Sequence, residues 1–203
     1  MNQELHRGEF TFAHTVDSRS RLRPKINKQL ALEIAKLTTS AFKRGNKLLL
    51  CGNGGSAADC GHLAAELING FGGMDMCYPA IDLTAFVPTI TAIANDKGYE
   101  CVFERQIKAL GKPGDAIWVF STSGKSENIR SALPLARIRN ISTIGFFGRK
   151  LKGWPEDKSE ADIKIHACRW CNISIFVDAD DTGTIQGVHS EYYHEVCRKI
   201  WEQ

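Results

Sequence analysis

Residues 47–71, KLLLCGNGGSAADCGHLAAELINGF, decide the fold of this chain. Lys47 to Cys51 is an apolar run with the length of a buried parallel strand, and it stops at Gly52-Asn53-Gly54-Gly55, which no strand or helix interior favours. Ser56 stands where a helix N-cap belongs. A strand that ends in glycines and opens a helix aims free backbone N–H groups, and the positive end of the helix dipole, at whatever lies above the turn. That is an anion site, most simply for a phosphate. On the helix, His62 and Glu66 are four residues apart and share a face, one turn above the anion end. Their spacing matches part of a zinc site and equally a solvent-facing ion pair.

Outward from this unit, strands and helices alternate. Residues 1–25 read as a polar helical arm stopped by Pro24, ahead of a core over 26–203. Ile26, Leu30, Ile34, Leu37 and Ala41 form one apolar stripe of a helix ending near Gly45. Tyr78–Leu83 reads as a second strand, Thr89–Ala94 as a helical turn ended by Asn95-Asp96, Tyr99–Leu110 as a helix, and Ala116–Phe120 as a strand. That strand runs into Ser121-Thr122-Ser123-Gly124-Lys125-Ser126, a second hydroxyl- and glycine-rich turn opening a helix over Asn128–Arg137. A capped helix start accounts for one serine but hardly for four hydroxyls, so this turn too reads as a phosphate site. Ile141–Phe146 and Ala161–Ile165 read as further strands, with a charged loop between them, and Ile173–Val177 as a strand or an ordered loop. Gly183–Trp201 closes the chain as a helix with Ile185, Val188, Tyr192, Val196 and Ile200 on one stripe and Gln186, His189 and His194 off it. Taken alone, Gln186 and His194 are polar residues on an exposed helix side. The alternation predicts a single α/β domain, a parallel sheet flanked by helices in three layers, with ligands at the carboxyl ends of the strands.

Composition narrows the function classes. With 203 residues, 43% of them hydrophobic, the chain can bury a full core. A net charge of +3 with scattered Lys and Arg argues against nucleic acid and membrane surfaces as partners. No stretch approaches the roughly 18 apolar residues of a membrane span, and MNQELHRGEF lacks the apolar core of a signal peptide, so a cytoplasmic location is expected. Seven cysteines suit reduced thiols better than a disulfide framework. Cys168 and Cys171 form a lone C-x-x-C without the second pair that zinc would need, and read as part of a loop or strand.

Two nucleotide readings fit less well. Gly52-x-Gly54-x-x-Ala57 satisfies a relaxed dinucleotide fingerprint, yet Asp82, the one acidic candidate for a ribose, comes about ten residues later than the usual spacing. Gly124-Lys125-Ser126 resembles the end of a P-loop, but Val119 stands where its first glycine belongs.

Four segments, CGNGGSAADCGHLAAEL (51–67), AIANDKGYECVFERQIKALGKPGD (92–115), STSGKSENI (121–129) and DDTGTIQGVHSEYYHEV (180–196), occur in the order seen in phosphoheptose isomerases of the sugar isomerase (SIS) family, which the chain resembles from about Ile26 to Trp201. The resemblance implies an SIS-type, flavodoxin-like domain with added N-terminal helices. It implies conversion of sedoheptulose 7-phosphate to D-glycero-D-manno-heptose 7-phosphate through a cis-enediol, toward activated heptose for lipopolysaccharide and other glycoconjugates. It assigns Ser121, Thr122, Ser123 and Ser126 to the phosphate, places Asn53, Gly54, Gly55, Ser56, Asn95, Asp96, Glu66 and Gln186 around the sugar, and makes Glu66 and His194 the acid–base pair. It also implies one zinc ion per subunit on His62, Glu66, Gln186 and His194, and homotetramers with active sites at subunit interfaces. Gln186 and His194 lie eight residues apart, about 12 Å along a straight helix, so the helix bends or the two ligands come from different subunits. A non-catalytic SIS protein, binding a sugar phosphate or the replication initiator, is the alternative. The initiator-binding relative lacks the Glu and the late His, and a sensing module needs neither. Lys125 and Glu127 stand where smaller or neutral residues are usual in the family, and residues 166–178 exceed its usual length.

Overall fold

The computed structural model describes residues 11–17, 26–73, 75–148 and 167–203. In chain order these form β1 (Thr11–Asp17), α1 (Lys28–Lys43), β2 (Leu48–Gly52), α2 (Gly55–Asn69), β3 (Ala80–Asp82), α3 (Val87–Lys97), α4 (Val102–Leu110), β4 (Ala116–Ser121), α5 (Glu127–Ile138), β5 (Ser142–Gly148), β6 (Ile173–Asp178) and α6 (Thr182–Trp201). Short 3-10 turns cover Phe71–Gly73, Tyr99–Cys101 and Ala167–Trp170. The six strands make one sheet in the order β1-β6-β5-β4-β2-β3, and every pairing is parallel.

Side-chain alternation sorts the sheet into two buried faces. Leu48, Leu50, Trp118 and Phe120 point to one core, shared with α1, α2 and α6. Leu49, Cys51, Ile117 and Val119 point to the other, shared with α4 and α5. All five residues of β2 and all six of β4 are buried, which explains why both read as continuous apolar runs rather than as alternating ones. The one polar atom of the largest buried side chain is satisfied: Trp118 Nε1 donates to Thr38 Oγ1 at 3.1 Å, and Thr38 donates to the Ile34 carbonyl at 2.9 Å. At the amino ends of β2 and β4 the buried Asp115 carboxylate accepts from the Lys47 ammonium (2.7 Å) and from the Lys47 and Lys112 N–H groups (3.1 and 2.7 Å). Burial alone would raise its pKa; those bonds and one from Asn46 outweigh it and hold the carboxyl below its usual range.

Two expectations change and one open reading is settled. The helical turn expected over Thr89–Ala94 is the longer α3, which contains Asn95 and Asp96 instead of ending before them. Residues 11–17 are a strand, not part of a helical arm, and the sheet gains β1 on its edge beside β6. Ile173–Asp178 is a strand that pairs with β5 on one side and β1 on the other. The predicted strand Ala161–Ile165 lies outside the described residues, as do residues 1–10 and 18–25 of the predicted arm.

Chain order reverses between β2 and β4: from β2 the chain moves out to β3, then crosses back to build β4, β5 and β6 on the other side. The crevice beyond the carboxyl ends of such a pair is where open α/β sheets bind ligands. Residues 52–55 and 121–126 both lie there.

Candidate active site

The first turn is built by close approach. Gly54 caps α2 with φ +57°, a conformation that disfavours any other residue, and Ser56 sits inside the first helical turn, buried, instead of at the N-cap the sequence suggested. A Cβ on Gly52 would stand 2.6 Å from the Ser56 carbonyl oxygen, so strand and helix touch backbone to backbone. Gly52→Ala is therefore expected to cost about 1–3 kcal/mol of unfolding free energy by chemical denaturation, as overpacked positions do. A side chain on Gly55 would run into the Gln186 carboxamide, which places Gln186 over this turn.

The second turn follows β4. Ser121 is buried, and its Oγ accepts from the Gly124 N–H at 3.1 Å; Ser123 Oγ accepts from the Lys125 N–H at 3.3 Å. Each of those hydroxyls keeps its own proton to donate. Ser126 occupies the N-cap of α5 with extended backbone and no capping bond, so its side chain is available to a ligand at the positive end of the helix. Thr122 is half-buried between them, and Lys125 and Glu127 are exposed on the rim.

The two turns are tied together by a feature that spacing did not reveal. Asn53 and Asn128 exchange side-chain hydrogen bonds at 2.9 and 2.8 Å, and the Tyr99 hydroxyl donates to Asn53 Oδ1 at 3.0 Å. Asn95 and Asp96 are exposed near the end of α3, just before Tyr99, and Asn95 Nδ2 donates to Asp96 Oδ1 at 2.9 Å.

Farther along α2, His62, Glu66 and His194 converge: one ligand atom from each lies within 4.8 Å of the others. His62 Nε2 is 3.2 Å from Glu66 Oε1, and His62 Nδ1 is 3.0 Å from the Tyr193 hydroxyl, which accepts from Ser190 at 3.1 Å. The His194 ring sits edge-on to His62, with centroids 5.1 Å apart, and leans on Tyr193. Burial, and after it the charge of His62, lowers the His194 pKa, which favours the neutral imidazole that a ligand or a base requires. Two imidazoles and a carboxylate are a donor set that suits zinc, and the Tyr193 hydrogen bond orients the imidazole of His62 as a metal-bound histidine needs. Asp59, one turn before His62, was not singled out from the sequence; burial raises its carboxyl to about 6, against the pull of His62.

The structure revises the distances. α2 starts at Gly55, so His62 and Glu66 stand seven and eleven residues into it, about 10 and 16 Å along the axis and not one turn above the anion end. α6 runs unbroken from Thr182 to Trp201, so Gln186 and His194 stay about 12 Å apart in one chain. Within one chain three of the four expected metal ligands come together, and Gln186 belongs to the glycine turn.

Sequence and structure comparisons follow the same outline. The SIS domain family model matches residues 12–148. A phosphoheptose isomerase of Synechocystis is 41% identical across 82% of this chain and 79% of its own length, and one of Pelobacter propionicus is 42% identical across 83% and 82%. Solved phosphoheptose isomerases from Neisseria gonorrhoeae and Francisella tularensis superpose with TM-scores of 0.71 and 0.74 at 31% and 32% identity, each pair covering 86% of both chains. The chain belongs to the SIS-domain family and, within it, to the phosphoheptose isomerases.

Proposed function

We propose that the chain isomerises sedoheptulose 7-phosphate to D-glycero-D-manno-heptose 7-phosphate, the entry to activated heptose. The observation that carries this reading is the convergence of His62, Glu66 and His194 from helices far apart in sequence, in a chain about 41% identical to phosphoheptose isomerases.

The residues divide the work by chemical type. Ser121, Thr122, Ser123 and Ser126, with the amino end of α5, hold the phosphate. Asn53, Gly54, Gly55, Ser56, Asn95, Asp96 and Gln186 line the sugar. Aldose–ketose isomerisation moves a proton between C1 and C2 and another between the two oxygens. Glu66 takes and returns the carbon-bound proton, and His194, neutral at physiological pH, relays the one on oxygen. A zinc ion on His62, Glu66 and His194, with Gln186 as a fourth ligand, would polarise the substrate carbonyl.

The axial distances favour a shared site. A heptose held by its phosphate at one chain's turns meets a Glu66 about 16 Å along α2 less readily than one brought by a neighbouring copy. We therefore place the site at the interfaces of a homotetramer, with Gln186 and His194 contributed by different subunits. Mixing inactive Gln186→Ala and His194→Ala proteins is expected to restore part of the activity; hybrids without any would argue for a site within one chain.

Seven free thiols suit a reducing compartment, and we place the enzyme in the cytoplasm. Among the described residues no helix is long and apolar enough to cross a membrane.

The reaction run in D2O tests the chemistry. The expected product carries deuterium at C2, seen by NMR; an aldoheptose phosphate formed with the substrate's hydrogen fully retained would count against free exchange at Glu66.

A further inference from the structure

We infer that Asn128 and Tyr99 are positioning residues that fix Asn53 as a hydrogen-bond donor toward the ligand, so that the atom Asn53 meets in the bound sugar phosphate is an acceptor. This inference rests on the sugar-phosphate reading above.

A lone asparagine side chain presents either an oxygen or an NH2 group, because the two ends have nearly the same shape. Here the backbone removes that choice. The Ile129 N–H donates to Asn128 Oδ1 at 3.0 Å, and an N–H cannot face an amide NH2, so the oxygen end of Asn128 is fixed. The reciprocal pair then fixes Asn53: its Nδ2 donates to Asn128 Oδ1 and its Oδ1 accepts from Asn128 Nδ2. The Tyr99 hydroxyl, 3.0 Å from the same Oδ1, must donate. Both acceptor sites of the Asn53 oxygen are then filled and one of its two N–H groups is used. What remains is a single N–H, next to the glycines of the first turn. It suits a phosphate, carbonyl or hydroxyl oxygen, and it cannot accept a proton from a sugar hydroxyl.

The three residues differ in what they contribute besides. Asn128 is 2% exposed at the start of α5, so its amide also needs partners for the fold to bury it. Tyr99 is 55% exposed, and its hydroxyl adds a bond to Asn53 with little packing behind it. The pair joins positions 75 residues apart, linking the turn after β2 to the first turn of α5.

A double-mutant cycle tests the inference. Asn128→Ala is expected to lower kcat/KM for sedoheptulose 7-phosphate by about 10–100-fold, and Tyr99→Phe by about 3–10-fold with the thermal midpoint unchanged. In an Asn53→Ala background neither should cost more than about twofold, since both act through Asn53. Losses that multiply in that background, or a Tyr99→Phe enzyme as active as wild type, would overturn it. Should Asn128→Ala fail to fold, Tyr99→Phe carries the test alone. If the wild-type protein turns over no sedoheptulose 7-phosphate, the isomerase reading fails separately. Nitrogen-15 NMR of the free protein then decides: the Asn53 side-chain amide protons are expected to shift in Tyr99→Phe, and an unshifted pair would overturn the inference.

Discussion

Glu66→Gln is expected to lower kcat for sedoheptulose 7-phosphate by about 10²–10⁴-fold while the protein folds normally, as loss of one proton-transfer group does. Glu66 is the one carboxylate of the converging trio, and Oε1 faces His62 at 3.2 Å. Glutamine keeps the shape and one oxygen for His62 but cannot take a proton from carbon. KM should move little, because the serine-rich turn proposed to hold the phosphate lies on other elements, β4 and α5. Steady-state kinetics beside a circular-dichroism spectrum would decide it: a loss smaller than tenfold, with the fold intact, would remove Glu66 from the proton transfer.

The second large effect is on stability. His189 is fully buried between Phe120 and Phe146, with ring centroids 6.1 and 6.0 Å away, and burial lowers its pKa from 6.5 to about 4. Between those values the unfolded chain binds a proton that the native protein refuses. The stability is thus fully present above pH 6.5 and is lost as the pH falls toward 4, by on the order of 3 kcal/mol. His189→Leu lacks the titrating group, so the difference between wild-type and variant unfolding free energies should change by about that amount from pH 7 to pH 4. A difference that stays constant across this range would show that His189 is charged when folded, or exposed.

Much of this architecture is legible in the sequence because the informative signals are local. The apolar run at 48–51, the glycines after it and the hydroxyls at 121–126 announce strand, turn and helix within a few residues each. What escaped depends on distant partners or on the width of a buried face. Asn53, Tyr99 and Asn128 look like ordinary turn and helix residues until the fold brings them together. His189 fell off the predicted stripe because a stripe drawn through one residue per turn is too narrow: α6 packs on the sheet and on α1 and α2, and buries His189, Tyr193 and Cys197 beside Ile185, Val188, Tyr192 and Val196. Residues 11–17, TFAHTVD, carry β-branched and aromatic residues in a polar neighbourhood, where strand propensity lost to the helix-stopping signal of Pro24. Ile173–Asp178 was ambiguous because a strand buried on both faces shows no alternation, and its length does not separate it from an ordered loop. The distance from the glycine turn to Glu66 is not legible in a shared helix face, which fixes direction, while 1.5 Å per residue fixes reach.

Direct turnover tests the central claim. The zinc-supplied wild-type protein is expected to convert sedoheptulose 7-phosphate to an aldoheptose 7-phosphate, with kcat/KM well above that for fructose 6-phosphate. A folded, zinc-supplied protein that leaves sedoheptulose 7-phosphate unchanged would contradict the account.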